Sequence, residues 1–463
     1  MSLHFKLTQS SGNHLSHGGF PLLQRLFAEH NLPALLDSSL PQPAPQAVYT
    51  ASDVVFSFFY TLMMGGSCLE DLNYARDELR QTGGFQVPSA DTLRTRLQSW
   101  SVKNRESFSG PHGRIHDSFN YAPGMNAALK RTAALSLPPK RGGYRLDVDA
   151  HILEHQKPDA RTAYNFKQGY APLCSFVGAL PVEVEVRNGN TSPKKDITEH
   201  VQRTIKALAK EGVPIKEVCS DAAGYSFELM EWLDKSRRRF YIRARKSPAM
   251  ERQMKEIDQW HLVKDKEHLL YQWAETTWKG YRLIVQRQQN ADGQTDVFSG
   301  TAYTYRAIIT NDRRKKSHGL FVIHHYNKRG GIERNFDIVR NDFGWALMPF
   351  DNMSENTAYL LLTALCLNLF EWAKKLPGRQ DKLVGNYCHP GKKLPLAFCF
   401  GARPVGQNRQ TAFSETLHPP RLHGPFGSPV IPLNTGWEAS PHGPLKRVRE
   451  TRLFKRLSEP VCG

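Results

Sequence analysis

The run from Tyr326 to Arg340, YNKRGGIERNFDIVR, sets one carboxylate, Glu333, inside a basic frame of Lys328, Arg329, Arg334 and Arg340. Helical spacing puts Arg329, Glu333 and Asp337 on one face, with Tyr326 and Arg340 about one turn away at either end. A lone acid among cations suits a metal ligand that must face a phosphodiester. The metal needs an oxygen ligand, and the phosphate needs positive neighbours. A solvated amphipathic helix laced with ion pairs would show the same pattern, so the rest of the chain has to decide.

Two further segments offer acids. YRLDVDAHIL alternates like a strand, with Leu146, Val148 and Ala150 on one face and Asp147 and Asp149 on the other, the two acids about 6.6 Å apart. IKEVCSDAAGYS reads as a strand ending in Asp221. Phosphodiester hydrolysis and strand transfer run well on two divalent ions, one activating the attacking oxygen and one stabilising the leaving oxygen. Mg²⁺ prefers a few carboxylates plus water and substrate oxygens, so three acids from distant segments suffice. An Asp at a strand end can equally cap a loop, and singly each acid is weak. No His or Cys spacing supports zinc.

The elements that must position these acids fall into four regimes. Residues 1–135 read as short helices with basic faces, which suggests a helix-turn-helix-like DNA-binding domain with Arg94 and Arg96 near one helix end. From 140 to 246, strands come first and then alternate with helices, which predicts a mixed α/β sheet with flanking helices. Residues 247–320 are rich in Thr, Tyr, Val and Trp and read as an inserted antiparallel β segment. The third acid follows, and 321–376 returns to helix and closes the fold. Residues 377–463 hold 12 of the 29 prolines and are expected to be extended or disordered; residues 374–463 carry 15 Lys or Arg against 5 Asp or Glu.

The spacing Tyr326, Arg329, Glu333 resembles the Y-x2-R-x3-E-x6-K signature of DDE transposases from bacterial insertion sequences, with Arg340 standing where Lys is usual. SDAAGYS is similar to that family's A-D-S-G-F/Y motif, with Ala222-Ala223 in place of Ser. DAH matches its D-[AS]-T motif at Asp149, with His151 in place of Thr. The downstream NDFGWALMPFDNMSENTAYLLLTALCLNLFEWAKK also looks like the family.

The resemblance implies a ribonuclease H-like catalytic domain interrupted by a β insertion. It implies Asp149, Asp221 and Glu333 as catalytic metal ligands for two Mg²⁺ ions, with Mn²⁺ able to substitute. Asp147 then becomes a supporting acid. Tyr326, Arg329 and Arg340 would hold DNA phosphates. Trp273 and Trp278 would either stack on a flipped base or fill the sheet core. The implied activity is metal-dependent cleavage and strand transfer in cut-and-paste transposition. The alternatives are a metal-dependent nuclease of the same fold and an inactive DNA-binding relic.

Composition agrees with a polyanionic partner. Of 463 residues, 62 are Lys or Arg and 44 Asp or Glu, a formal charge of +18. Double-stranded DNA is the expected partner, both element ends and target, bound by a homodimer. No apolar run reaches about 18 residues, so no membrane partner is expected. The opening MSLHFKLTQSSGNHLSHGG lacks an apolar segment, and the seven cysteines are scattered without pairs, both consistent with a reduced cytoplasmic setting.

Overall fold

The computed structural model of this chain describes residues 19–375, apart from 83, 110–114, 164, 266–267 and 291–301. The basic, Pro-rich segment from 377 lies outside the described residues. Helices α1 (Phe20–Glu29), α2 (Leu32–Ser39), α3 (Ala51–Met63), α4 (Leu72–Thr82) and α5 (Ala90–Trp100) come first. The apolar periodicity over 21–40 predicts one helix. It is split because Asn31 takes a left-handed φ of 56°, a conformation Asn tolerates better than most residues. Thr50, not Ser52 or Asp53, caps α3, and Asp53 returns the bond to the Thr50 backbone, closing a capping box.

Within the first 135 residues the helical reading is interrupted between α5 and α6. Strands β1 (Arg105–Ser109) and β2 (Ile115–Asn120) pair antiparallel before α6 (Pro123–Leu135). Their sequence carries no 3.6-residue apolar period, and β2 finds a ladder partner that the local sequence does not announce.

The chain continues through β3 (Tyr144–Ala150), β4 (Leu153–Glu154), β5 (Arg161–Thr162), β6 (Gln168–Tyr170), β7 (Leu173–Val177), β8 (Leu180–Arg187), α7 (Ile197–Lys210), β9 (Ile215–Ser220), α8 (Phe227–Lys235) and β10 (Arg239–Arg243). Helix α9 (Pro248–Lys255) leads into β11 (His261–Asp265), β12 (His268–Trp278), β13 (Tyr281–Gln289) and β14 (Tyr303–Thr310). Helices α10 (Gly319–Asn327), α11 (Gly331–Asn341) and α12 (Met353–Ala373) close the described chain.

One eleven-stranded sheet runs in the order β1-β2-β8-β7-β3-β9-β10-β14-β13-β12-β11. Among the described residues only β3–β9 and β9–β10 pair in parallel; the other ladders of this sheet are antiparallel. Strands β11–β14 join the sheet through β10–β14, so this mostly antiparallel β segment prolongs the central sheet. The fold is thus mixed α/β.

Both faces are covered. Leu146 and Val148 of β3 face a core shared with α7 and α8 (Val201, Ile205, Leu229, Leu233). The opposite side buries Phe176, Val184 and Val186 against α12 and the N-terminal helices. Phe27, Phe58, Leu93 and Trp100 share that core with Tyr359, Leu365 and Trp372, so α1–α5 are packed into the same core as α12.

Helix α12 is apolar all round because it is surrounded by protein. Among the described residues no helix is long and apolar enough to cross a membrane. Its buried Asn368 donates from Nδ2 to Leu129 O at 3.1 Å on α6 and to Pro181 O at 3.0 Å on β8. Asn368→Leu would remove both of these buried hydrogen bonds. We expect a loss of about 1–3 kcal/mol in chemical denaturation; an unchanged midpoint would mean that the amide does not pin α12.

Candidate active site

The alternation of β3 sends Arg145, Asp147 and Asp149 to the face opposite Leu146 and Val148. On the neighbouring parallel strand β9 the same alternation presents Glu217 and Cys219, with Asp221 next in phase. The register pairs Arg145 with Glu217, Asp147 with Cys219 and Val148 with Ser220. Asp149 and Asp221 therefore leave the carboxyl ends of adjacent parallel strands, the edge where open α/β sheets gather ligands.

Asp221 caps a 3₁₀ turn, Ala222–Gly224, accepting from Ala223 N at 2.9 Å. Gly224 is required there, since a Cβ would fall 2.6 Å from the Ser220 side chain.

The third element is the α10–α11 corner. Tyr326 is 8 % exposed and packs with Cys219, Tyr241 and Val322. Its ring therefore anchors α10 from below. The chain then turns through Lys328–Gly330, and Arg329 reaches back to the sheet. Arg329 Nη2 lies 2.7 Å from Asp149 Oδ2, with side chains 13 % and 15 % exposed.

Burial pushes the Asp149 carboxyl up to about 7. Arg329 opposes that rise, and the nearby Asp221 carboxylate adds to it. Asp147 is also raised by burial, but the ion pair with Arg145 at 2.9 Å pulls the other way. Asp147 is thus paired with Arg145, while Arg329 pairs with Asp149 and also feels the charge of Asp221.

Glu333 is placed differently. It lies exposed in the first turn of α11, one helical turn beyond Arg329. Among the described residues no three His, Cys, Asp or Glu side chains group closely enough to hold a metal ion. The structure thus brings together Asp149, Asp221 and Arg329 and leaves Glu333 outside the cluster.

Arg340 is exposed near the end of α11. Its charge adds to the burial that holds the His155 imidazole down to about 4 and lowers that of His151. His151, which stands where the resemblance has Thr, stacks on Phe336 of α11 at 4.8 Å and so ties the end of β3 to that helix.

Other expected contact residues are committed elsewhere. Arg94 donates to Pro349 O at 3.2 Å and Arg96 to Tyr49 O at 3.1 Å, both within the protein. Trp273 stacks on His261 at 4.3 Å and fills the space beside Gly319, and Trp278 packs against the core under α7 and α8.

The sequence reading missed the groups that hold α10 in place. Glu217 accepts from Arg239 Nη2 at 2.6 Å and lies 3.0 Å from His325 Nε2. The His325 carbonyl accepts from Arg145 Nη1 at 3.0 Å. The signal was available: Glu217, Cys219 and Asp221 share one strand face, so Glu217 had to point toward the site's floor.

The family model for transposase DDE domain group 1 matches residues 4–386. The chain belongs to that family. No curated protein matches the chain. Among solved structures, a piggyBac transposase synaptic complex with hairpin DNA aligns with a TM-score of 0.40 and 11 % identity, over 79 % of this chain and 77 % of that one.

DDE transposases carry out DNA cleavage and transesterification and generally use divalent metal ions. The residues of this transposase fit such an ion in one respect. Two carboxylates converge in a half-buried place where their mutual repulsion calls for a cation.

The support under α10 has a pH signature. Burial alone would raise Glu217, but hydrogen bonds from His325 and Arg239 overcome it and hold the carboxyl at about 2. A depressed carboxyl adds stability above its unfolded value of about 4.5 and loses it as pH falls toward 2. Glu217→Gln should therefore lower stability at pH 7 by roughly 2 kcal/mol and flatten the acid limb between those values. Denaturation at several pH values checks this, and an unaltered slope would contradict it.

Proposed function

We propose that this transposase binds double-stranded DNA at the ends of an insertion-sequence-like element, cleaves it and joins it to a target by cut-and-paste transposition. The observation that carries this reading is the convergence of Asp149 and Asp221 at the ends of two adjacent parallel strands, under the single guanidinium of Arg329.

The topology supports a ribonuclease H-like catalytic core. Three antiparallel strands, β8-β7-β3, are followed by two parallel ones, β9 and β10, with β11–β14 as the insertion.

In this reading Asp149, Asp221 and Glu333 hold two Mg²⁺ ions. When bound, such ions activate the attacking oxygen and stabilise the leaving oxygen of an in-line displacement. Asp149 and Asp221 supply the fixed part of the set from the sheet. Glu333 would complete the set from the exposed first turn of α11, just after the Lys328–Gly330 corner. Arg329 has two uses: it neutralises Asp149 in the free protein and contacts a DNA phosphate in the complex. Arg340 adds a second phosphate contact from the exposed end of the same helix, and Tyr326 fixes the corner from below.

The test uses a labelled DNA fragment carrying the inverted repeats that flank this gene. Glu333→Gln should abolish Mg²⁺-dependent nicking, because the amide keeps the shape and loses the charge a hard cation needs. Its gel-shift affinity should remain within about twofold, since DNA contact is spread over many Lys and Arg. Arg340→Ala should weaken the DNA complex and leave nicking at saturating DNA intact. Normal nicking by Glu333→Gln would remove Glu333 from the set.

A further inference from the structure

The link between β14 and α10, residues 311–318, carries a buried carboxylate that the proposed chemistry does not use. Asp312 is 1 % exposed. Its carboxylate accepts from Tyr241 OH at 2.6 Å, from Ser317 Oγ at 2.6 Å, and from Arg314 through Nε at 2.8 Å and Nη2 at 2.6 Å. The Arg314 backbone N–H adds a fifth bond at 3.2 Å, and Arg282 of β13 donates to the Asp312 carbonyl. A buried anion with this many donors fixes its surroundings, because any displacement leaves charged or polar groups unpaired.

Its partners lead to the site. Tyr241, on β10, sets its ring 4.5 Å from the His325 ring of α10. His325 is held on its other side by Glu217 of β9 at 3.0 Å. The His325 carbonyl takes the Arg145 guanidinium, whose Nη2 pairs with Asp147 of β3 at 2.9 Å. Arg314 Nη2 closes the circuit at 4.0 Å from Glu217. Four residues after His325 comes Arg329, 2.7 Å from Asp149. The inserted strands, the central strands β3, β9 and β10, and α10 thus meet around one carboxylate and one imidazole.

We propose that Asp312 is a positioning residue for the active site, fixing α10 against β9 and β10 so that Arg329 is aimed at Asp149. Its link to transposition rests on the function proposed above; its effect on α10 does not. Asp312 touches no reacting atom. It acts through Tyr241 and His325, and it makes the placement of the inserted strands and the placement of Arg329 one variable. DNA seated on those strands would then be sensed at Asp149.

Two measurements on the full-length protein test this. The first is amide hydrogen exchange of the metal-free, DNA-free protein. Asp312→Asn should speed exchange of α10 amides by roughly tenfold, the loss of about one charged hydrogen bond, while β3 and α12 change little. Equal loosening everywhere, or none in α10, would overturn the proposal. If Asp312→Asn does not fold, Tyr241→Phe and Ser317→Ala each delete one donor, keep the anion, and should show a smaller effect confined to α10.

The second is a double-mutant cycle on Mn²⁺ affinity by electron paramagnetic resonance, without DNA. Arg329→Met should change Mn²⁺ affinity in the wild-type background and change it much less beside Asp312→Asn. A purely structural Asp312 would lower the melting midpoint and leave the Arg329 effect unaltered, which overturns the proposal. Absence of Mn²⁺ binding by the wild type would instead remove the metal site from the proposed function, and hydrogen exchange would then decide the role of Asp312.

Discussion

The ion pair between Arg329 and Asp149 is the contact on which the site depends. Two carboxylates at the ends of adjacent strands repel one another, and burial worsens the repulsion. One guanidinium, 2.7 Å from Asp149, opposes both effects without cancelling them. Removing one partner from such a half-buried pair leaves the other charge uncompensated, so loss of Arg329 costs stability unless another cation replaces it. Under the proposed function, a divalent ion would take over the charge balance that Arg329 supplies in the free protein. The ion pair also explains the crowding under α10. Arg329 can be aimed only if its helix is fixed, and Glu217, Arg145, Tyr241 and Asp312 fix it from three strands and a linker.

The wider architecture serves the same end. The parallel pair β3–β9 needs a covered sheet, since parallel strands are buried on both faces. Helices α7 and α8 cover one side; α10, α12 and the N-terminal helices cover the other. Helix α12 is apolar on every side because it lies between the N-terminal helices and the sheet. The inserted strands extend β10 through β14 as one continuous ladder, which gives them a stiff connection to the strands beside the site.

Much of this was legible in the residues because it is local. The period-two alternation of YRLDVDA placed Asp147 and Asp149 together on one face. The strand before Asp221 and the β-rich stretch before Tyr326 were equally plain in composition. What escaped was set by distant partners. The β1–β2 hairpin has no helical period and no strong strand signal, and β2 is completed by β8. Arg94 and Arg96 look like free basic residues in sequence, yet each donates to a carbonyl brought close only in the folded chain.

Sequence alone allows two readings of Trp273; in the fold its ring fills the space left by Gly319, nearly fifty residues later. The motif resemblance favours Asp149 over Asp147, and in the folded chain Arg145 engages Asp147 while Arg329 engages Asp149. Glu333 is the residue whose sequence context says most and whose position in the free protein says least. It is exposed beside a corner rather than seated with the two aspartates.

The central claim is that Asp149 and Asp221 form one cation site whose free-state counter-ion is Arg329. Titrating Mn²⁺ into the DNA-free wild type, Asp149→Asn and Asp221→Asn, followed by electron paramagnetic resonance, tests it most directly. The account predicts that each single substitution weakens binding by at least about tenfold, since each removes a charged ligand from one shared ion. Full Mn²⁺ affinity in either variant would contradict it.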